Sequence, residues 1–472
     1  MKKQTKIVAT ISDLNCDKKF IKKLYQNGMN VVRLNTAHQT KEDSLRVINN
    51  VREVNEKIPI LLDTKGPEIR TTKGSEEIIL KKGDIIQVKG DPDKNSSNKK
   101  LYFSYDNIVD DVELEDKILI DDGELELKII EKNEIDKKLM CEVMNDGTIS
   151  GRKSVNIPGK HINLPSLTQK DKDYILFAIK NKVEFIAHSF VRNKNDIMGI
   201  QKILDKHNSK IKIIAKIENQ EGVDNIDEIL DHVYGIMVAR GDLGIEIAAE
   251  KIPLIQKQLI KKCIAQKRPV ITATQMLHTM IKNPRPTRAE VSDVANAVLD
   301  GTDALMLSGE TAYGAYPLEA VKTMAAIAVS TETQIQGFNS SAHNPLKNEI
   351  ANFLAKSAVQ AALTLDVKAI ITDTSKGRTA RALSSFRGKK PIYAECYDKQ
   401  VAKELALSFG VYSKYVKQKN NTDKFVKEAL TNLTTKKYLK KEDLVVVIAG
   451  NFGVSNSASF IEITTVKNCL NK

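Results

Sequence analysis

The stretch Ile211–Glu246 reads IKIIAKIENQEGVDNIDEILDHVYGIMVARGDLGIE, and its pattern decides the expected fold. It contains two apolar runs, Ile211–Ile217 and Gly235–Ala239, which are too short for helices and are bounded by glycine or polar residues. Such runs are typical of strands that are buried on both faces of a parallel sheet. Each of the two predicted strands ends in charged side chains, which indicate a functional site.

The charged residues at these strand ends repeat one spacing. Lys216 and Glu218 lie two residues apart, as do Arg240 and Asp242, so the members of each pair point to the same side of their strand. Two carboxylates, a lysine and an arginine suit a divalent cation together with a phosphate group. A pair of surface salt bridges is the alternative, but ligands bind at the carboxyl ends of parallel strands. We therefore predict a site for magnesium and phosphate at this edge.

Six further apolar runs, separated by helical patterns, bring the number of predicted strands to eight. They are Lys6–Ile11, Asn30–Asn35, Ile58–Asp63, Glu184–Val191, Pro269–Thr274 and Ala304–Leu307. Eight strands that alternate with helices predict a (β/α)₈ TIM barrel. Nearly every run ends in polar residues, which a barrel gathers at its carboxyl-terminal face and an open doubly wound sheet would not.

Two helix starts carry capping signatures. Thr168 is followed three residues later by Asp171, and Thr287 is followed in the same way by Glu290. The threonine hydroxyl can accept a hydrogen bond from a free amide of the first turn, and the carboxylate can accept one from the backbone amide of the threonine. We therefore predict helices that begin directly after Thr168 and Thr287.

Two segments depart from the barrel rhythm. From about Thr72 to Arg152 the pattern changes to short alternating β segments, with a hairpin turn predicted at Asp122–Gly123. This insertion after the third strand is expected to form a small β barrel that acts as a lid. After the polar stretch GFNSSAHNPLKNE, the runs VKAIITDT, PIYAEC and DLVVVIAG predict a separate α/β domain. The predicted domains are residues 1–71 and 153–340 for the TIM barrel, 72–152 for the lid and 341–472 for the C-terminal domain.

Composition excludes several classes of protein. The chain has 472 residues, of which 41% are hydrophobic and 28% charged, as expected for a globular protein of two or three domains. The net charge of +13 comes from scattered lysines without interleaved aromatics, so nucleic-acid binding is not predicted. Five distant cysteines without a C-x-x-C pair indicate reduced thiols rather than a zinc site or disulfides. No signal peptide or membrane span is apparent, so we expect a cytoplasmic location.

The motifs at the predicted strand ends resemble those of the pyruvate kinases. They are TKIVATI at Thr5, GMNVVRLN at Gly28, LDTKGPEIRT at Leu62, KIENQEG at Lys216, MVARGDLG at Met237, TATQML at Thr272, RPTRAEVSDVANAVLDG at Arg285 and MLSGETAYG at Met306. The match covers the barrel, the place of the lid and the C-terminal domain. The resemblance implies transfer of the phosphoryl group of phosphoenolpyruvate to ADP, followed by protonation of the enolate to pyruvate, as in the last step of glycolysis.

Five side chains would carry this reaction, according to the resemblance. Lys216 would neutralise the charge of the phosphoryl group during its transfer, Arg33 would bind phosphate, and Thr274 would lie beside the carbon that gains the proton. Glu218 and Asp242 would hold magnesium or manganese. These residue types also suit the chemistry itself, since phosphoryl transfer requires positioning and a dense positive field around the transferring oxygens.

The resemblance also implies binding residues for both substrates. The backbone amides of Arg240, Gly241 and Asp242 enter a helix and would bind the substrate carboxylate, since a helix start is an anion site. The implied substrate-binding residues are Lys216, Arg240, Gly241, Asp242 and Thr274. The implied nucleotide-binding residues are Arg33, His38, Arg70 and Lys153. Ser12-Asp13 replaces the Gly-Pro usual after the first strand, close to the expected adenine side at His38.

A potassium site is implied by three residues that match family ligands, namely Asn35, Asp63 and Thr64. Glu68 matches an acidic residue that accompanies potassium dependence in the family. Ala37 stands where many members have a serine ligand, so we expect potassium to activate with weakened affinity.

An effector site is implied in the C-terminal domain. The loop follows the strand VKAIITDT and opens a helix, which makes a cradle for phosphate. Its residues are Thr374, Ser375, Lys376, Gly377, Arg378 and Thr379. Lys376 stands where the family usually has a serine, and a plain helix start without a ligand is the alternative. The family also implies a homotetramer, whereas the composition argues against a nucleic-acid or membrane partner.

Two other functions are compatible with parts of the pattern. One is a different magnesium-dependent barrel enzyme that stabilises an enolate, such as a lyase acting on pyruvate, but such an enzyme would not need Arg70 and Lys153. The other is an inactive paralogue that binds anions or nucleic acid. The intact set Lys216, Glu218 and Asp242 argues against loss of activity.

Overall fold

The computed structural model describes residues 3–74, 77–160, 162–335, 349–418, 421–450 and 458–471. The chain begins with alternating strands and helices, as predicted. They are β1 (Lys6–Thr10), α1 (Lys18–Gln26), β2 (Val31–Asn35), α2 (Lys41–Val54) and β3 (Ile60–Asp63). Asp17 caps α1, and Thr40 forms a capping box with Asp43 at the start of α2. Both helices therefore begin where a short polar side chain can satisfy free amides.

A β-rich insertion follows β3. Its strands are β4 (Ile69–Arg70), β5 (Ile78–Leu80), β6 (Ile85–Gly90), β7 (Lys100–Phe103), β8 (Lys117–Ile120), β9 (Leu125–Asn133), β10 (Lys138–Val143), β11 (Gly147–Ile149) and β12 (Ser154–Asn156). Seven of them form one sheet in the order β4-β12-β8-β9-β10-β6-β7, and β5 pairs with β11. Thr71 bridges Phe103, so the two ends of the large sheet meet and the insertion curls into a small barrel. The predicted hairpin turn lies between β8 and β9, where Asp122 and Gly123 both have positive φ.

The barrel rhythm then resumes. Its elements are α3 (Gln169–Lys180), β13 (Phe185–His188), α4 (Lys194–Lys206), β14 (Lys212–Ile217), α5 (Gln220–Asp224), α6 (Ile226–His232), β15 (Gly235–Ala239), α7 (Arg240–Glu246), α8 (Ile252–Ala265), β16 (Val270–Ala273), α9 (Arg288–Asp300), β17 (Ala304–Leu307), α10 (Gly309–Ala312) and α11 (Pro317–Glu332). The eight parallel strands close in the order β1-β17-β16-β15-β14-β13-β3-β2, which confirms the predicted TIM barrel. The capping boxes at Thr168 and Thr287 are also confirmed.

Both faces of the barrel strands are buried. Val8, Met237 and Met306 belong to the cluster that fills the barrel, whereas Ile7 and Ile236 belong to the cluster between strands and helices. Neighbouring residues on a strand point to opposite faces, so both members of each neighbouring pair are apolar. This double burial is why the strands appear in the sequence as continuous apolar runs.

The C-terminal part is a separate α/β layer structure. Its elements are α12 (Glu349–Thr364), β18 (Val367–Thr374), α13 (Arg378–Ser385), β19 (Ile392–Cys396), α14 (Lys399–Glu404), β20 (Val411–Tyr415), α15 (Thr422–Thr435), β21 (Leu444–Ala449), β22 (Phe460–Thr465) and α16 (Val466–Asn471). The sheet order is β20-β19-β18-β21-β22. The two edge strands, β20 and β22, were not predicted, because both are largely half-exposed and lack a continuous apolar run. The predicted domain boundary between residues 340 and 341 lies outside the described residues.

The C-terminal domain packs against the amino-terminal ends of the barrel strands. Arg387 pairs with Asp303, just before β17, at 2.8 Å, and Lys403 pairs with Glu184, just before β13, at 2.9 Å. Leu407 is fully buried and belongs to the same cluster as the residues that fill the barrel. The carboxyl-terminal face of the barrel is therefore left to the inserted β structure and to the predicted site.

The structure describes the state of the five cysteines and the character of the helices. Cys16, Cys141, Cys263, Cys396 and Cys469 are all buried and free of disulfides. Throughout the described ranges, no helix combines the length and the apolar character that crossing a bilayer requires.

Candidate active site

Lys216 lies at the centre of the converging strand ends. Its Nζ is 2.8 Å from Oε1 of Glu218 and 3.2 Å from Oδ1 of Asp63, and it donates to Oγ of Ser189 at 2.8 Å. Although burial opposes the charged form, the carboxylates of Asp63 and Glu218 raise the pKa of Lys216 above its ordinary value. The ammonium is therefore held protonated where β3, β13 and β14 end.

Arg33 provides a second buried cation beside the first. Its Nε donates to Oδ2 of Asp63 at 2.7 Å, and its Nη1 donates to Oγ1 of Thr10 at 3.0 Å. Burial opposes ionisation of Asp63, but Lys216 and Arg33 together lower the pKa of that carboxyl. Asp63 is thus an ionised anchor that fixes both cations.

The two predicted metal ligands lie next to this cluster. Phe190 donates its amide to Oε2 of Glu218 at 2.6 Å, and its φ of 55° shows that the loop bends sharply to do so. Burial raises the pKa of the Glu218 carboxyl to about 7, and the charge of Asp242 adds to the rise against the opposing effect of Lys216. In the described part of the chain no group of three or more Asp, Glu, His or Cys side chains is placed to hold a metal. Two carboxylate ligands still fit magnesium, which keeps several waters and takes substrate oxygens as further ligands.

Thr274 and the start of α7 contact each other. Gly241 donates its amide to Oγ1 of Thr274 at 2.7 Å, and Thr274 itself adopts a φ of 67°. The guanidinium of Arg240 turns to Asp293, with two contacts of 2.7 Å, and to the carbonyl of Thr274 at 2.9 Å. The side chain of Arg240 therefore fixes the loop, and the backbone of the α7 start faces the site.

A cleft of about 770 Å³ lies between the insertion and the barrel mouth, and it is lined by His38, Arg70, Lys153 and Asp242. Arg70 pairs with Glu68 and donates to the carbonyl of Arg152 at 3.0 Å. The structure brings these three predicted nucleotide residues to one cavity. Arg33, the fourth predicted nucleotide residue, is buried, with only 8% of its surface exposed.

The predicted potassium ligands lie together at the ends of β2 and β3. Asn35 and Asp63 are register partners on the two strands. The carbonyl of Thr64 accepts from Oγ of Ser189 at 2.7 Å, and Oδ1 of Asn35 accepts from the amide of Ala37 at 3.1 Å. The side chain of Thr64 donates to the carbonyl of Ala187 at 3.3 Å, so its hydroxyl is engaged within the barrel wall.

The predicted effector loop forms one turn between β18 and α13. Gly377 has a φ of 73°, and its amide donates to Oγ1 of Thr374 at 2.9 Å. Ser375, Lys376 and Arg378 are exposed. The loop thus presents two cations and a hydroxyl at a helix start.

Three residues that shape the site were missing from the predicted set. Ser189 accepts from Lys216, and Asp171, predicted only as a helix cap, accepts from the amides of Lys65 and Gly66 at 3.0 and 3.3 Å. Arg192 contacts the chain that returns from the insertion. Ser189 had a signal in the sequence, since it is one of the polar residues that end the predicted strands.

Comparison with known proteins places these features in a family. The family model for the pyruvate kinase barrel domain matches residues 2–321, and the model for the pyruvate kinase alpha/beta domain matches residues 352–464. A pyruvate kinase of Borreliella burgdorferi is 48% identical, over 99% of this chain and 98% of the relative. A pyruvate kinase of Bacillus licheniformis is 44% identical, over 98% of this chain and 80% of the relative. The crystal structure of a pyruvate kinase from Cryptosporidium parvum matches with a TM-score of 0.91 and 37% identity, over 98% of this chain and 96% of that one.

Proposed function

This chain belongs to the pyruvate kinase family, and we propose that it transfers the phosphoryl group of phosphoenolpyruvate to ADP in the cleft between barrel and insertion. The observation that carries the proposal is the environment of Lys216. Its ammonium is held charged by Asp63 and Glu218 beside a second buried cation, Arg33. Such a fixed positive field is what a transferring phosphoryl group requires.

Lys216 and Arg33 would act on the phosphoryl group directly. Neither cation needs to be ordered during the reaction, because Asp63 already holds both. Preorganised charges of this kind stabilise the transition state without a reorganisation cost. Lys216 also lies where it can balance the negative charge that develops on the enolate oxygen.

Glu218 and Asp242 would hold magnesium or manganese. Burial raises the pKa of Glu218 and the charge of Asp242 adds to the rise, so a bound cation would favour the ionised form of Glu218. When bound, the metal supplies positive charge to the oxygens of the phosphoryl group and of the enolate. The chain itself contributes the orientation of Glu218 through the amide of Phe190.

The substrate carboxylate would bind at the start of α7, on the amides of Arg240, Gly241 and Asp242. Because Gly241 donates to Oγ1 of Thr274, a bound carboxylate would compete with that hydroxyl for the amide. Thr274 would then be free to face the carbon that gains a proton. The side chain of Arg240 would support the turn through Asp293, and only the backbone amide of Arg240 would contact the substrate.

The nucleotide would bind on the insertion side of the cleft. Arg33, His38, Arg70 and Lys153 are the proposed contacts, of which the last three line the cavity. We assign residues 72–152 to a lid that closes on the nucleotide, with β4 and β12 of the adjoining segments completing its sheet. We assign residues 1–71 and 153–340 to the barrel and residues 341–472 to the C-terminal domain.

Asn35, Asp63 and Thr64 would bind potassium at the ends of β2 and β3. The side chains of Asn35 and Asp63, which are register partners on β2 and β3, offer oxygen ligands. The carbonyl of Thr64, which accepts a hydrogen bond from Oγ of Ser189, would be the third ligand. Ala37 supplies no hydroxyl, so water or a carbonyl would complete the shell and the affinity for potassium would be low. The enzyme would work in the cytoplasm as a homotetramer.

One assay tests the proposal against the alternatives. Purified protein is given phosphoenolpyruvate, ADP and magnesium, and pyruvate and ATP are both measured. Equal amounts of the two products support the proposed reaction. Pyruvate without ATP would indicate transfer of the phosphoryl group to water, that is, a hydrolase. The absence of both products at any potassium concentration would indicate a lyase acting on pyruvate or an inactive paralogue.

A further inference from the structure

Arg192 ties the chain that returns from the insertion to the barrel. Its Nη1 donates to the carbonyl of Ile162 and its Nη2 to the carbonyl of Leu164, both at 3.0 Å. Both carbonyls lie in the connection between β12 and α3. Asp196 fixes the guanidinium through Nε and Nη2, each at 3.2 Å. The side chain of Arg192 is 17% exposed and that of Asp196 is 7% exposed, so this clamp is largely shielded from water.

The backbone around Arg192 is joined to the catalytic residues on its other side. Phe190 donates its amide to Glu218, and the carbonyl of Val191 accepts from Nδ2 of Asn219 at 3.4 Å. The carbonyl of Arg192 accepts from Nδ2 of Asn225 at 3.0 Å. One short loop thus contacts both a proposed metal ligand and the return of the lid.

The chain that leads into the insertion is held by the same region. Asp171 accepts from the amides of Lys65 and Gly66. Gly66 has a φ of 72°, and a Cβ on it would lie 2.8 Å from Phe190 and from Ser189. Glycine is therefore required where this connection passes over the loop after β13. Both connections of the lid rest on that loop.

We propose that Arg192 is a positioning residue that fixes the orientation of the lid relative to the proposed metal ligands. The inference rests on the proposed role of residues 72–152 as the nucleotide lid. Without the guanidinium, the carbonyls of Ile162 and Leu164 lose their fixed donors and the return connection samples more orientations. Only a fraction of these orientations places Lys153 opposite the nucleotide phosphates, and the apparent affinity for ADP falls by that fraction.

The test replaces Arg192 with Gln and separates the two substrates. The KM for ADP should rise about tenfold, as expected if the competent fraction of lid orientations falls tenfold. The dissociation constant of phosphoenolpyruvate, measured by calorimetry with magnesium and without nucleotide, should stay unchanged. Hydrogen exchange of residues 162–168 should become faster, since their anchor is lost. Arg192→Lys keeps the charge but not the planar guanidinium, so its KM for ADP should lie between those of the wild type and of Arg192→Gln.

Arg52 offers a matched control at the other end of the barrel. It also joins backbone carbonyls to a carboxylate, with contacts to Ile58 at 2.7 Å and to Glu184 at 2.8 Å, and its side chain is 21% exposed. Arg52→Gln should lower the thermal midpoint without changing the KM for ADP or the exchange of residues 162–168. The KM for ADP and the exchange of residues 162–168 thus distinguish an arginine that only stabilises the fold from one that positions the lid.

Lys153→Met shows whether the nucleotide binds at the lid, since Lys153 lies at the boundary of the lid and pairs with Asp121 within it. If it raises the KM for ADP and Arg192→Gln does not, the inference about Arg192 is wrong and the proposed function stands. If neither variant changes that KM, the nucleotide role of the lid fails and the inference fails with it. A parallel loss of phosphoenolpyruvate affinity in Arg192→Gln would also overturn the inference. Should that variant not fold, Arg192→Lys decides by the same criteria.

Discussion

Lys153 Nζ lies 2.5 Å from Oδ2 of Asp121, so a cation proposed to bind the nucleotide already has a carboxylate partner within the lid. Both residues line the cleft, and their side chains are 26% and 30% exposed. Ion pairs this exposed are typically worth only ~0.2–1 kcal/mol, so a phosphate that carries more charge can displace the carboxylate. Asp121 would therefore compete with the nucleotide for Lys153.

Asp121→Asn should lower the KM for ADP about two- to five-fold at low ionic strength, because the competing charge is removed. Asn is suitable here because Asp121 has a φ of 56°, which Asn tolerates. Asp122→Asn is the matched control, since Asp122 accepts from Oγ of Ser154 at 2.8 Å. Initial rates against ADP at low and high salt measure the effect, which salt should reduce. An equal change in both variants would contradict the competition.

Lys216→Met should lower kcat by a factor of about 10²–10³ or more, in line with the loss of other preorganised charges. The fold should survive, because Asp63 keeps its ion pair with Arg33 at 2.6 Å. Lys212→Met is the control on the same strand, at the opposite end of the barrel, where the side chain is 37% exposed. Single-turnover rates with circular dichroism as a fold check measure the change. Near-normal turnover of Lys216→Met would remove Lys216 from the catalytic set.

The fold could be predicted from the sequence because the barrel strands are buried on both faces. Continuous apolar runs reveal such strands, and Gly235–Ala239 and Ala304–Leu307 have the predicted bounds. The edge strands β20 and β22 leave no comparable signal, since one side of each meets solvent. Other predicted strands ran one to a few residues too long, because apolar residues continue into the loops, as Ile11 and Val191 do.

The site could be predicted only in part. Strand-end spacing predicted that Lys216, Glu218 and Asp242 lie close together, and they do, because side chains at such ends converge in any parallel barrel. The contacts that position them run through backbone groups, such as the Phe190 amide and the carbonyls that Arg192 holds. Backbone partners depend on loop conformation, and residue types alone do not encode it.

Glu404 should make the stability of the fold depend on pH. It is 3% exposed, and burial raises its pKa from 4.5 to about 7, against the opposing effects of Lys212 and Arg381. Between these two values the folded chain binds more protons than the unfolded chain, so the free energy of unfolding falls as the pH rises through this range. Glu404→Gln removes the buried charge and should stabilise the fold by about 1–3 kcal/mol at pH 8 and little at pH 5.

Thermal midpoints of Glu404→Gln and of the wild type at pH 5 and pH 8 test this effect. Glu442→Gln serves as the control, because Glu442 is an exposed carboxylate in the same domain and should leave both midpoints unchanged. A stabilisation of equal size at both pH values would show that the buried charge is not the cause.

The loop at the start of α13 is the proposed effector site. Its φ of 73° at Gly377 and the bond from the Gly377 amide to Thr374 fix a turn with Ser375, Lys376 and Arg378 exposed. A phosphorylated effector bound there should lower the phosphoenolpyruvate concentration at half saturation, with a coupling free energy of about 1–3 kcal/mol. Arg378→Ala should remove that response with little change in the maximal rate, because the loop lies at the carboxyl end of β18 in the C-terminal sheet, outside the barrel.

Saturation curves for phosphoenolpyruvate, with and without a panel of sugar phosphates and AMP, measure the response, and Lys427→Ala on α15 is the control for the loss of an exposed cation. A lack of response in the wild type would have two explanations, which differ in the role of Lys376. If all wild-type curves coincide, the phosphate cradle is either empty or filled by the ammonium of Lys376, whose side chain is long enough to fold back on the helix start. Lys376→Ser separates the two cases, since only a lysine that replaces the effector would give a restored response when it is removed. Coinciding curves in Lys376→Ser as well would mean that this loop is a plain helix start without a ligand.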